Sequence, residues 1–546
     1  MNRFRALGSS LLTAAANGQI RKVQLAWGCA IAAEWAHFVA LGVYAYGHGG
    51  ASAVGLAGLI RLLPAAALAP FAASLGDRFP RERFILGASL LGALALAASA
   101  ASAAAGDTAL VYGFAAVVGL SSTLFRPALQ ALLPSLARTP EELIAANAAT
   151  STMEGLGTLV GPLLAGALVA LMDVAAVFTA AAGVFLVAAG LLLGVRVRGR
   201  VPGTTAPRAP VRRMLGAGFV AVAQAPRPRL LISLGVAQSF VRGCLNVLIV
   251  VAAFGILDGG GSEVGYLTAA IGAGGMIGAL GAMTLGSRRL AVVFGLALVF
   301  WGLPIALLAG SAYLPAAIVL LAVVGVANSV EDVAIITLLQ RTADEELLTR
   351  VLAVLWGVAM GAVAVGSLAA PVIVDAVGVH AAFVVVGLIL PLLTIATYRR
   401  LIAIDRAVAP SRELDLIGEV PMFAPLSLAA KESLAASLVP VAFAPGQRVI
   451  RAGEIGDEFY VVAEGELEID AGGTRTTAAA GDYFGEIALL RDVPRTATVT
   501  ARAKSLLYAL PRSAFLAAVT AHAAAYSAGQ EIADSRLTGS VSGTTG

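Results

Sequence analysis

Twelve apolar stretches fill most of the first 400 residues, at about 23–46, 53–75, 83–105, 109–132, 148–171, 174–195, 229–256, 263–285, 289–309, 313–338, 351–374 and 378–398. Each is close to the 17–25 residues that an α-helix needs to cross a bilayer. A chain built this way has to fold in lipid. Only 13% of its 546 residues are charged, where a soluble chain averages about 25%, and mean hydropathy is +0.87. Several stretches are rich in Ala and Gly, which lets helices pack closely in a membrane.

The loops set the orientation. Alternate connections carry Arg21 and Lys22, then Arg78, Arg81 and Arg83, then Arg138, a long basic loop with Arg196 to Arg213, Arg288 and Arg289, Arg341 and Arg350, and Arg399 and Arg400. The intervening loops contain no Lys or Arg. Basic loops stay in the cytoplasm, so both termini are expected there. Residues 1–20 carry Arg3 and Arg5 and fit a cytoplasmic or interfacial segment as well as a leader, without a clear cleavage boundary. Cys29 and Cys244 sit in apolar runs and read as small buried hydrophobes.

The sequence also repeats. Val54-Gly55 and Leu75-Gly76 recur as Val264-Gly265 and Leu285-Gly286, 210 positions on. This predicts two six-helix halves, 21–197 and 227–400, joined by a cytoplasmic loop at 198–226, the parallel-repeat plan of a secondary transporter. Gly76-Asp77-Arg78-Phe79-Pro80-Arg81 resembles the loop 2–3 signature of the major facilitator superfamily, which implies a cytoplasmic gate at Gly76, Asp77, Arg78 and Arg81. Gly157…Gly161-Pro162…Gly166 is similar to that superfamily's exporter motif. Phe125-Arg126-Pro127 and Pro140-Glu141-Glu142 resemble its macrolide and siderophore efflux branch.

Charges within the spans are costly, roughly 2.5–3.5 kcal/mol each on insertion scales, and call for partners or a watery cavity. Glu34, His37, Arg61, Arg126, Glu154, Arg242, Glu331 and Asp332 are such residues. The repeat aligns Glu34 with Arg242 and Arg126 with Asp332, so equivalent positions carry opposite charges. We therefore expect Glu34, Arg126, Arg242 and Asp332 to line one central transport cavity, with Glu331 as the alternative to Asp332 and His37 as a relay candidate. Arg61 and Glu154 read equally as structural residues.

From about residue 407 the composition changes. A linker at 401–413 leads to short alternating strands broken by Gly, within a domain expected at 414–535, followed by a disordered tail at 536–546. Near its end lies Phe484-Gly485-Glu486-Ile487-Ala488-Leu489-Leu490, then Pro494-Arg495-Thr496-Ala497. The amides of Gly485 to Ala488 suit an anion, Arg495 a forked contact with phosphate, and Glu486 a donated hydroxyl. In isolation the pair reads first as a surface ion pair on a β-rich domain. The run, however, resembles the phosphate cassette of cyclic-nucleotide-binding domains, and Gly446, Gly453, Gly456 and Gly465 match that family's β-roll turns. The resemblance implies that Glu486 holds the ribose 2′-hydroxyl and Arg495 the cyclic phosphate, with Gly485, Ile487, Ala488, Thr496 and Ala497 completing the cradle. It also implies cAMP or cGMP as the ligand, and a last helix whose Tyr526 and Gln530 approach the base.

The expected fold class is thus an α-helical membrane protein of twelve spans in two pseudo-repeats, plus a cytoplasmic β-roll. No nucleophile–base set, metal-ligand spacing or Walker-type loop occurs, so neither enzymatic activity nor a cofactor is expected. The expected function is proton-coupled efflux of a small molecule, regulated by the nucleotide. The alternatives are a membrane-anchored nucleotide receptor and an exporter of the nucleotide itself. Expected partners are a cyclic nucleotide, a small-molecule substrate and the bilayer, without nucleic acid; a homodimer is compatible with this plan.

Overall fold

The computed structural model describes residues 17–76, 80–137, 140–195, 222–282, 289–342, 345–407, 412–426, 428–520 and 523–541. The chain divides into two compact units, residues 1–408 and 409–546.

Among the described residues the first unit is built of helices: α1 (Gly18–Gly76), α2 (Arg81–Ala104), α3 (Thr108–Leu136), α4 (Pro140–Leu171), α5 (Val174–Leu193), α6 (Pro226–Gly255), α7 (Gly261–Ala282), α8 (Leu290–Leu308), α9 (Leu314–Thr342), α10 (Glu345–Val377) and α11 (Val379–Ala407). All eleven are long and apolar enough to cross a membrane. The first is broken by non-helical Gly49 (φ 172°, ψ 23°) and Gly50 (φ 61°, ψ −152°), at a loop read from the sequence. Asp107 and Asp173 cap α3 and α5 by accepting from Leu110 N at 3.1 Å and Ala176 N at 2.7 Å, satisfying amides that a helix start leaves open.

Within this unit α1 packs on α3, α4 and α5, while α6 packs on α10, α7 on α9, and α8 on α9 and α11. The two sets meet where α4 lies against α7 and α1 against α10 and α6. Glycines set the approaches of α4 to α1 within its own set and to α7 across from it. A Cβ on Gly161 would strike the Ala32 carbonyl, one on Gly157 would meet Ile31, and one on Gly265 would lie 2.5 Å from the Gly166 Cα. The Gly157–Gly166 motif therefore serves helix packing in this structure. At the other end of the unit the Asp405 carboxylate, on the last turns of α11, accepts from Ala291 N at 2.7 Å and Val292 N at 3.0 Å, tying α11 to the start of α8.

The second unit opens with α12 (Arg412–Glu419), a 3₁₀ turn (Pro421–Phe423) and α13 (Leu428–Ala436), then folds eight strands into two antiparallel sheets. One sheet has the order β1 (Val439–Phe443), β8 (Ser505–Pro511), β3 (Glu458–Glu464) and β6 (Tyr483–Phe484). The other has β2 (Arg448–Ile450), β7 (Thr498–Ala501), β4 (Glu466–Ala471) and β5 (Thr474–Ala479). Between the sheets lie Val462, Leu467, Val499 and Leu507. Under the helices Phe459 stacks on Phe515 at 5.0 Å and meets Phe423 edge-on at 5.7 Å.

Three features differ from the sequence reading. Strands β5 and β6 were not expected: β5 is Thr-rich and largely exposed, and β6 has two residues, so neither alternates. The expected terminal helix is two, α15 (Arg512–Thr520) and α16 (Ala523–Val541). The tail expected to be disordered from residue 536 instead continues α16 to Val541, where Arg491 pairs with Asp534 and Arg536 with Glu486. Side-chain pairing supplies the order that its polar composition concealed.

Candidate functional site

The turn between β6 and β7 is shaped by residues in the left-handed region. Gly485 (φ 95°, ψ −2°) turns the chain into the short helix α14 (Glu486–Arg491), and Asp492 (φ 53°) ends it. Glycine adopts this conformation without steric cost, and here it is also needed for space. A Cβ on Gly485 would sit 2.6 Å from Arg495 Nη1, and one on Gly456 would collide with the same guanidinium. Two glycines thus form the floor on which Arg495 lies.

Arg495 is only 6% exposed. Its Nη1 donates to the Gly485 carbonyl at 3.1 Å and its Nη2 to the Glu458 carbonyl at 2.7 Å. Its backbone is fixed by the facing turn, with Gly453 N donating to Arg495 O and Arg495 N to Glu454 O, both at 2.8 Å. Burial lowers the guanidinium pKa, against the pull of Tyr460, Glu458, Asp457 and Glu486. The result is a cation held in place by backbone carbonyls and available to an anion.

Glu486 is 1% exposed. Its Oε1 accepts from Arg536 Nη1 at 2.8 Å, while its Oε2 is buried with no hydrogen-bond partner among the described residues. Arg536 comes from α16; it lies 4.6 Å over the Tyr483 ring and donates to the Tyr483 carbonyl at 3.1 Å. Burial raises the Glu486 pKa, chiefly opposed by Arg536. A buried acceptor left unsatisfied costs about 1–3 kcal/mol, which a donated ligand hydroxyl would relieve. Hydroxyl at Glu486 and anion at Arg495 and the first-turn amides of α14 is the demand a sugar phosphate fills. Thr496 is exposed and Ala497 half-buried at its edge.

Two cavities among the described residues of the membrane unit are lined by intramembrane charges. The first, about 110 Å³, is lined by Trp35, Phe38, Leu41, Val54, Arg61, Asn246, Val363 and Ser367, among others, from α1, α6 and α10. Arg61 Nη2 bonds Glu34 Oε1 at 3.0 Å, and its Cζ lies 5.2 Å from the centre of the Phe38 ring. The second, about 60 Å³, is lined by Gln238, Ser239, Arg242, Glu331, Asp332, Trp356 and Met360. There Arg242 donates to Asn328 Oδ1 at 2.5 Å, Trp301 Nε1 donates to the same oxygen at 3.2 Å, and Asn328 Nδ2 donates to Asp332 at 3.0 Å. Glu331 is 2% exposed, and its Oε2 has no hydrogen-bond partner among the described residues. Val363 lines both cavities.

The Major Facilitator Superfamily model matches residues 25–359, and the cyclic nucleotide-binding domain model matches residues 440–522. The chain belongs to the Major Facilitator Superfamily. This superfamily member carries a C-terminal cyclic nucleotide-binding domain. It is 43% identical over 100 residues to the cAMP-dependent protein kinase regulatory subunit of Yarrowia lipolytica, covering 18% of this chain and 27% of that one. The corresponding subunit of Schizosaccharomyces pombe is 36% identical over 102 residues, covering 18% and 25%. The chain spans about a quarter of the length of these two relatives. A solved structure of the Toxoplasma gondii PKA regulatory domain with cAMP is 25% identical over 24% of this chain and 52% of that one, with a TM-score of 0.21.

In this superfamily member the sequence candidates are distributed differently from the single expected cavity. Glu34 pairs with Arg61, whereas Arg242 and Asp332 lie in the second cavity with Asn328 between them. Glu331 and Asp332 both line that cavity, although neighbours on a helix were expected to diverge. His37 is buried against Phe178 at 5.6 Å, with neither ring nitrogen hydrogen-bonded among the described residues. Three residues leave a net offset of about 60° round a helix, which turns His37 from Glu34 toward Phe178 on α5. Gly76 ends α1 and exposed Arg81 opens α2, but Asp77 and Arg78 lie outside the described residues, as do the side chains of Arg126 and Tyr526. Sequence reasoning missed Arg536 and Asn328. Each is one polar residue among many, marked only by a partner distant in sequence.

Proposed function

We propose that this chain is a twelve-span secondary transporter, with α1 counted as two spans divided at Gly49-Gly50, in two six-helix repeats. Its transport equilibrium is biased by cAMP bound at Glu486 and Arg495. The unpartnered Glu486 Oε2, buried beside a preset Arg495, carries this reading. The named similarity to cAMP-dependent kinase subunits favours cAMP over cGMP. Nucleotide shifts a conformational equilibrium only by binding its two states unequally, and the alternate basic loops support a cytoplasmic position for the domain.

We assign transport to proton-coupled efflux of a small molecule. Of the carboxylates, Glu331 is the one we expect to carry the proton, because it lines a cavity with Arg242 and its buried Oε2 has no hydrogen-bond partner among the described residues. The test is titration of the purified chain with cAMP and cGMP, followed by flux in proteoliposomes with nucleotide on the domain's side. Saturable cAMP binding that Arg495→Ala abolishes, together with altered flux, is the expected result. Binding without any change in flux would reduce the domain to a receptor.

A further inference from the structure

Arg61 presents a fork that is only half used. In a guanidinium, Nε–H and one Nη2–H point the same way and match the two oxygens of a carboxylate. Glu34 takes Nη2 with a single oxygen at 3.0 Å, while Nε is buried and has no hydrogen-bond partner among the described residues. Of the two partners Arg61 is the more enclosed, with its side chain 14% exposed against 23% for Glu34, and it is braced over Phe38. An incoming acid would therefore displace Glu34 and leave Arg61 in place.

The cavity that Arg61 lines has an apolar body and one polar end. Trp35 and Phe38 meet edge-on at 5.5 Å on one side, with Leu41, Val54 and Val250 nearby. Asn246 offers an amide, and Ser367 is already committed to the carbonyls of Gly243 and Val363. A cavity of ~150 Å³ holds benzene, so at about 110 Å³ this one takes a short chain as it stands and a small ring only as its walls give. Cationic ligands would meet Arg61 head-on, and neutral ones would leave its fork unfilled.

We infer that this cavity binds a small amphipathic organic anion, its carboxylate bidentate on Arg61 Nε and Nη2 in competition with Glu34. This rests on the transport reading for its role as cargo, though the binding site stands apart from it. Three isosteric probes test it: benzoate, benzamide and benzylamine, titrated calorimetrically into the full chain in nanodiscs. Benzoate should bind at least tenfold tighter than either other probe. Arg61→Gln should erase that preference, and Glu34→Gln, which removes the competitor, should tighten benzoate severalfold. Arg61→Lys, which keeps the charge and loses the fork, should fall between. The inference is overturned if benzylamine binds best, if no probe binds, or if Glu34→Gln weakens benzoate; the ranking on the unaltered chain decides alone where a variant does not fold. Benzoate bound as expected but not carried across proteoliposomes would refute transport of this class and leave the binding site standing.

Discussion

Each unit of the molecule sets an arginine near a carboxylate, and the two treat that charge differently. In the membrane, Arg61 and Glu34 neutralise one another directly at 3.0 Å. In the nucleotide-binding unit, Arg495 rests on backbone carbonyls while Glu486 pairs with a third residue, Arg536. Lipid offers no solvent to share the cost of a lone charge, so opposite charges there are held together until something replaces one of them. A β-roll has turn carbonyls with which to hold a cation, and so can keep Arg495 and Glu486 from pairing with one another. What differs is when the cost of desolvation is met: on binding in the membrane, and on folding in the β-roll.

The sharpest way to break this comparison is to remove the preset cation. Arg495→Ala should weaken cAMP binding by about 10²–10⁴-fold, taking two charge-assisted bonds at roughly 1.5–3 kcal/mol each; a loss under tenfold by calorimetry would mean that the phosphate is held elsewhere. Next is coupling. Glu331→Gln should lower proton-driven flux at least tenfold, whereas Glu34→Gln should do less, and the opposite order in pH-jump assays would move the proton to the first cavity. Third, Gly485→Ala should cost about 1–3 kcal/mol for a side chain in a left-handed position, with a matching 5- to 150-fold loss of cAMP affinity. Gly456→Ala tests the floor without that backbone strain; an unchanged affinity would show that Arg495 does not depend on it.

The smallest effect concerns pH. Burial raises the Glu486 pKa in the folded domain. The folded state then holds a proton that the unfolded state has released, so stability falls as pH rises from the ordinary carboxylate value near 4.3 through the raised one. Melting of the ligand-free protein should therefore show a contribution, absent in Glu486→Gln, that favours folding at the acidic end. Arg536→Ala should extend that window upward by removing the main opposing charge. A window unmoved by Arg536→Ala would show that the pair contributes little in solution.

Local patterns were legible in the sequence, and pairings across distance were not. Span positions, alternate basic loops and the Phe484–Ala497 run depend on neighbours within a few residues, and the helices, the turn at Gly485 and the buried Glu486 and Arg495 follow from them. The partners of those charges do not. Arg536 meets Glu486 from 50 residues away, and Asn328 stands between Arg242 and Asp332 because α6 and α9 bring them together. Repeat symmetry aligned Glu34 with Arg242, but it carried no information about Arg61, which reaches Glu34 from beyond the Gly49-Gly50 break.

The glycines along α4 bear on motion as well as packing. Where Gly166 faces Gly265, and Gly272 faces the Thr158 carbonyl, the backbones of α4 and α7 touch directly, with the side chains of Met276 and Val169 packed on Gly155 and Gly261 to either side. Ridges set into grooves have to unmesh before one helix slides past another; backbone against backbone has less to unmesh. That contact is a close seam between the two sets of helices, and on the transport reading a single added methyl there should force the backbones apart and slow the exchange between access states while leaving every binding residue in place.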